Sequence, residues 1–128
     1  MIPQQGVYLL AAALLFSAVS AMKRLAVVTG GTRGIGRGIV ERLIESGDYE
    51  AFILTYNSNH EAAQEFKASH NDVRLHLVAG DLSLVETRDA IFQAVDKECS
   101  DCQLGLMVHN AGLYVGVTSG DTSDGYKP

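Results

Sequence analysis

The chain has 128 residues, 47% hydrophobic and 20% charged, a size and balance that fit one ordinary globular domain and exclude a disordered polymer. Its formal net charge of -5, with no run of lysine or arginine, excludes a general nucleic-acid binder, which would carry a basic patch.

Residues 1–21 stand apart, because they hold no charged side chain and have an apolar core from Val7 to Phe16. Val19-Ser20-Ala21 has the small residues at which a secretory signal is cleaved, although "MIPQQ" lacks the basic opening of such a signal. An uncleaved anchor, with Lys23 and Arg24 holding the following domain on the cytosolic side, is a second reading. A translation start at Met22, giving a cytoplasmic protein, is a third. All three place residues 1–21 outside the fold and confine any membrane contact to them.

From Leu25 onward, short aliphatic runs alternate with amphipathic segments. "LAVVT" (25–29) is too short for a helix and reads as a strand buried on both faces. Ile35, Ile39, Val40, Leu43 and Ile44 fall on one helical stripe, with Glu41, Arg42 and Glu45 outside it and Gly47 as C-cap. "AFILT" (51–55) is the next strand, and Ser58 with Glu61 forms a capping box that opens a helix through "HEAAQEFKAS". "VRLHLVA" (73–79) is the third strand. Ser83 and Glu86 repeat the box before "LVETRDAIFQAVDKE", in which Val85, Ile91, Phe92 and Val95 are expected to face a sheet. "LGLMVH" (104–109) is the fourth strand. The order β-α-β-α-β-α-β calls for an α/β domain, a doubly wound parallel sheet with helices on both faces. The tail from Leu113 is rich in Gly, Ser, Thr and Asp and reads as loop.

Cys99 and Cys102 form a C-x-x-C pair, which invites a redox or metal reading. Zinc would need further ligands at finger spacing, and none stand there; a thioredoxin-like site would open a helix, whereas this pair follows one. The expectation is two loop thiols and no metal.

Four glycines crowd into Thr29-Gly30-Gly31-Thr32-Arg33-Gly34-Ile35-Gly36, between the first strand and its helix. In a doubly wound sheet that turn faces the ligand crevice, and glycine lets the backbone approach a pyrophosphate lodged on the helix N-terminus. Here the residues carry a resemblance. Thr29-Gly30-x-x-x-Gly34-x-Gly36 matches the T-G-x-x-x-G-x-G motif of the short-chain dehydrogenase/reductase family. Asp81-Leu82 resembles the family's adenine-contacting acidic position, and His109-Asn110-Ala111-Gly112 resembles its N-N-A-G, with His109 in place of the first Asn. Gly105, where the family often has an acidic residue, and the long "SGDYEAF" turn are further departures. The resemblance covers residues 22–112 and implies the N-terminal part of an NAD(P)-binding Rossmann-type domain, truncated after the fourth strand, with 113–128 as a loop tail.

The resemblance assigns cofactor binding to Gly30, Thr32, Arg33, Gly34, Ile35, Gly36, Tyr56, Asn57, Ser58, Asp81, Leu82, Asn110, Ala111 and Gly112. Its Asn110 counterpart also helps hold the central sheet. After the second strand stands Tyr56-Asn57-Ser58, with no carboxylate to select the ribose of NAD(H) by its 2'-hydroxyl. Arg33 is placed to meet a 2'-phosphate through paired hydrogen bonds. NADP(H) is therefore favoured, and NAD(H) remains possible.

The family reduces or oxidises its substrates with a Tyr-x-x-x-Lys pair, a Ser and a later Asn, and none of the five tyrosines here has a lysine at that spacing. Tyr126-Lys127 is adjacent instead. No catalytic residue is therefore assigned. The expectation is an NADP(H)-dependent oxidoreductase of carbonyl or enoyl type that lacks its catalytic half, or else a non-catalytic NAD(P)-binding module or inactive fragment. The whole enzyme would take a small-molecule substrate and form a homo-oligomer. In this chain the fourth strand would be an exposed apolar edge, prone to aggregate or pair with another chain.

Overall fold

The run Leu25-Ala26-Val27-Val28 has no polar side to turn toward water, and all four residues are buried in β1 (Lys23–Val28). The computed structural model describes residues 8–12 and 22–112. After β1 come α1 (Gly34–Ser46), β2 (Ala51–Tyr56), α2 (His60–Ser69), β3 (Arg74–Ala79), α3 (Val85–Glu98) and β4 (Cys102–Val108). The expected cleavage site at Val19-Ser20-Ala21 and the tail 113–128 lie outside the described residues. No helix among the described residues is long and apolar enough to cross a membrane.

The strands are parallel, in spatial order β3-β2-β1-β4. β1 pairs Leu25 with Ala51 and Val28 with Leu54 on one side, and Lys23 with Cys102 and Val28 with Val108 on the other. Side chains alternate along each strand and so feed two cores. Ala26, Val28, Phe52, Leu54 and Leu75 pack with Val40 of α1 and Phe66 of α2, while Leu25, Val27, Ile53, Val78 and Cys102 pack with Ile91 and Ala94 of α3. Right-handed crossovers explain the division. The chain moves outward from β1 to β3 with its helices on one face, then returns to β4 with α3 on the other.

β4 pairs only with β1 among the described residues, and Leu104 and Met107 on it are exposed. The amino ends of the strands are joined by charge. The Arg74 guanidinium donates to both carboxylate oxygens of Asp101 at 3.1 Å and lies 3.4 Å from Glu98, and Lys23 lies 3.6 Å from both Glu50 and Asp101. The Arg74 hydrogen bond holds the Asp101 carboxyl below the usual carboxylate range, and the same bond raises Arg74 above its ordinary value.

Four local expectations are corrected. Ile35 is 79% exposed and lies outside the buried stripe, because α1 starts at Gly34 and its first turn stands at the rim of the sheet; Val40, with Leu43 and Ile44, makes the contact. In α3 the inward stripe is Thr87, Ile91 and Ala94, so Val85 and Phe92, seven residues apart on a different face, are 53% and 66% exposed. Neither capping box forms. The Asn59 side chain, directly before α2, accepts from the Ala62 N–H at 3.1 Å, an equally strong cap that displaces Ser58. Before α3 the Asp81 carboxylate takes the Ser83 N–H at 2.8 Å, and this turn moves the N-cap to Leu84. Finally, only Cys99 is an exposed turn thiol. Cys102 is buried in β4, where burial pushes its thiol pKa up. No cluster of metal-ligating side chains occurs among the described residues.

Candidate functional site

Because the strands are parallel, every sequence-predicted site residue lies at one end of the sheet. Gly30 to Gly36 follow β1, Tyr56 to Ser58 close β2, Asp81 and Leu82 follow β3, and Asn110 to Gly112 follow β4. This is the end at which ligands enter doubly wound sheets.

The β1–α1 loop is fixed by a neutral hydrogen-bonded clamp. The Thr29 hydroxyl accepts the backbone N–H groups of Asn110 at 3.0 Å and Ala111 at 3.1 Å and donates to the Val108 carbonyl at 3.4 Å. That uses the full capacity of one hydroxyl. The Asn110 side-chain amide returns both of its protons, to the carbonyls of Thr29 at 3.2 Å and Gly30 at 3.3 Å. On the other side the Gly30 N–H donates to the Thr55 hydroxyl at 3.1 Å. The loop is thereby tied to both β4 and β2.

Three glycines make the close approach possible. Gly30 and Gly34 have φ of 66° and 58°, a left-handed region unfavourable to other residues. At Gly36 a Cβ would collide with the Gly30 carbonyl and stand 2.6 Å from the Asn110 amide nitrogen, so only glycine lets α1 begin this near the clamp. Around Gly34 the space is open: a Cβ there would meet nothing within 4 Å.

The start of α1 differs from that of its neighbours. α2 is capped by Asn59, and both α2 and α3 have a glutamate in the first turn, whereas α1 has neither a side-chain cap nor an acidic first-turn residue. Its leading N–H groups and the positive end of its dipole thus lack an internal acceptor, which is the condition for holding an anion. Arg33 is exposed at the N-cap and belongs to none of the ion pairs among the described residues.

The remaining residues are placed less uniformly. Asn57 and Ser58 are exposed, while the Tyr56 hydroxyl lies 2.8 Å from Nδ1 of His60, across a T-shaped ring contact. Asp81 is exposed, and the Ser83 backbone N–H holds its carboxyl below the usual carboxylate range. Ala111 and Gly112 are exposed at the mouth. Thr32 is only 2% exposed, beneath the loop, and Leu82 packs partly against the α3-side core.

Sequence reasoning left Thr29 and Thr55 out of the site residues, although they organise it. The available signal was a hydroxyl residue ending, or nearly ending, an aliphatic strand, where the hydrophobic run gives way to the crevice.

A parallel α/β sheet with a glycine-lined, uncapped helix N-terminus at the carboxyl ends of its strands defines a nucleotide-binding domain of the doubly wound class. The family model for short chain dehydrogenase matches residues 24–125, and the chain belongs to that family. It is 33% identical over 93 residues to the NADPH-dependent reductase BacG of Bacillus subtilis, covering 69% of this chain and 34% of that protein. It is 37% identical over 92 residues to 3beta-hydroxysteroid dehydrogenase 2 of Eggerthella lenta, covering 69% and 33% respectively. Among solved structures, the NADPH-bound carbonyl reductase from chicken fatty liver superposes with a TM-score of 0.65 at 26% identity, covering 80% of this chain and 39% of that one. The chain thus spans about a third of the length of the curated relatives it matches.

Proposed function

We propose that this chain provides the dinucleotide-binding part of an NADP(H)-dependent oxidoreductase that reduces a carbonyl or enoyl group of a small molecule. The observation that carries the reading is the uncapped start of α1 behind Gly30 and Gly34, held open by the Thr29–Asn110 clamp. The donor set fits the cofactor. Gly34, Ile35 and Gly36 offer backbone N–H groups to a pyrophosphate, and the missing Cβ at Gly34 leaves room for it. Arg33 and the uncharged Asn57 and Ser58 suit a 2'-phosphate, Asp81 and Leu82 flank the adenine, and Asn110, Ala111 and Gly112 border the path toward the nicotinamide. Gly30 and Thr32 shape the loop. Tyr56, held by His60, orients the β2 end. When bound, the nicotinamide ring supplies the hydride.

BacG and the chicken carbonyl reductase are described as NADPH-dependent and NADPH-bound, which supports NADP(H) over NAD(H) for this chain too. Cofactor fluorescence tests this. The full chain is expected to bind NADPH at least tenfold more tightly than NADH, about the worth of one charge-assisted contact, and Arg33→Ala to erase the difference. Equal affinities in the unsubstituted chain would remove NADP(H) selectivity from the reading.

A second reading, a non-catalytic NAD(P)-binding module, is favoured by one observation: no tyrosine of the 128 residues has lysine at the Tyr-x-x-x-Lys spacing. No residue of this chain is therefore proposed for proton transfer to the substrate, and oligomer formation is likewise a property proposed for the whole enzyme. The 128 residues alone are expected to bind cofactor without oxidising NADPH in the presence of carbonyl compounds; steady oxidation would overturn that assignment.

A further inference from the structure

β3 closes the sheet opposite β4, and a groove of about 660 Å³ runs along its outer side, between the last turns of α2 and α3. Its location separates it from the cofactor crevice, since its lining comes from the helix C-termini and the amino half of β3. β3 is an edge strand, paired only with β2 among the described residues.

Two properties of the groove coincide. The first is backbone geometry. The N–H groups of Arg74 and Gly80 donate inward to Glu50 and Tyr56, so the even positions of β3 face β2. Backbone groups alternate along a strand, and those of Leu75 and Leu77 therefore point outward into the groove, where no strand among the described residues meets them. The second is charge. Lys67 enters from the α2 side and Lys97 from the α3 side, and neither belongs to an ion pair among the described residues. The single lining carboxylate, Glu98, is already engaged, 3.4 Å from Arg74 and 3.9 Å from His76.

We propose that this groove is a docking site for an extended acidic segment of a partner protein, added as a strand to the outer edge of β3. The ladder groups of Leu75 and Leu77 supply main-chain hydrogen bonds. Because successive side chains of an added strand point to opposite faces, two adjacent acidic residues would meet Lys67 on one face and Lys97 on the other. The pairing of strand geometry with cations on both flanks selects a peptide over a compact anion.

The test is fluorescence anisotropy with the full chain and a labelled peptide of valine and threonine carrying two adjacent central glutamates. Saturable binding is expected. N-methylation of the peptide amides facing β3 leaves its charge unchanged and is expected to weaken binding about tenfold or more, because ladder bonds are lost. The double substitution Lys67→Glu and Lys97→Glu, both surface changes, is expected to reverse the preference toward the same peptide with lysines at its centre. Equal binding of the N-methylated peptide would overturn the proposal, as would full displacement by an equal concentration of tripolyphosphate, which would leave a simple anion site. An unchanged preference in the charge-reversed chain would do the same.

Discussion

At the carboxyl ends of the strands, Thr29, Thr55 and Asn110 join β1, β2 and β4 through uncharged hydrogen bonds to backbone groups. At the amino ends, Lys23, Glu50, Arg74, Glu98 and Asp101 join strand starts to one another and to α3 through ions. The contrast has a physical sense on the proposed reading. A crevice that is to hold a phosphate must keep its positive potential unspent, and a carboxylate in the β1–α1 loop would compete for it; the first acidic residue after Thr29 is Glu41. The opposite end, free of that constraint, is held by half-exposed ion pairs, which bulk water screens and which contribute little individually. One end is held by neutral hydrogen bonds, which salt screens little, and the other by ion pairs, which salt and pH weaken.

The strongest attack on this contrast is Gly36→Val. Its side chain would drive α1 away from the Gly30 carbonyl and the Asn110 amide, and a loss of about 3 kcal/mol in urea unfolding is expected, along with NADPH binding. Thr29→Val keeps the shape but leaves the Asn110 and Ala111 N–H groups without their acceptor at a residue only 4% exposed, for about 2 kcal/mol; Thr29→Ser should recover most of it. Neither effect should change with added salt. The charged end should behave otherwise. Asp101 has a folded pKa below its unfolded value, so its contribution is present above the ordinary carboxylate range and disappears as pH falls through the folded value. The urea midpoint of the unsubstituted chain should exceed that of Asp101→Asn near pH 6 and converge on it by about pH 2. Salt of about 1 M should narrow the same gap at neutral pH. Last, Arg42→Ala removes an ion pair whose side chains are 84% and 65% exposed, on the outer face of α1 and remote from both ends, and should leave the midpoint within error.

The sheet was legible because its aliphatic runs are unambiguous. "AFILT" and "VRLHLVA" stand out as strands between amphipathic segments, the first buried throughout and the second only partly buried as the edge strand β3, and the structure begins α2 at His60 and ends α3 at Glu98, where the pattern breaks. Near helix starts the reading weakened, because several polar residues compete for the same N–H groups: Asn59 won over Ser58 by standing one position nearer, and Asp81 drew the Ser83 amide into a turn of its own. Facing was harder still. Ile35 and Phe92 are apolar at plausible helical spacing, and only the actual phase of each helix reveals that they point outward. In the site, glycines announced the loop, but Thr29 and Thr55 act through partners 25 to 82 residues away, a relation that local spacing does not carry.

That separation has a consequence for how the crevice comes into being. The partners of the Thr29 hydroxyl arrive only with Asn110 and Ala111, so the first loop of the domain cannot take its final form until the last strand described has docked. Contacts so distant in sequence close late, after the loop-closure entropy between them has been overcome. A chain emerging from the ribosome would expose "TGGTRGIG" long before it could grip an anion. On the proposed reading, a bound dinucleotide would favour the docked β4, so that cofactor binding and the pairing of β1 with β4 are linked equilibria.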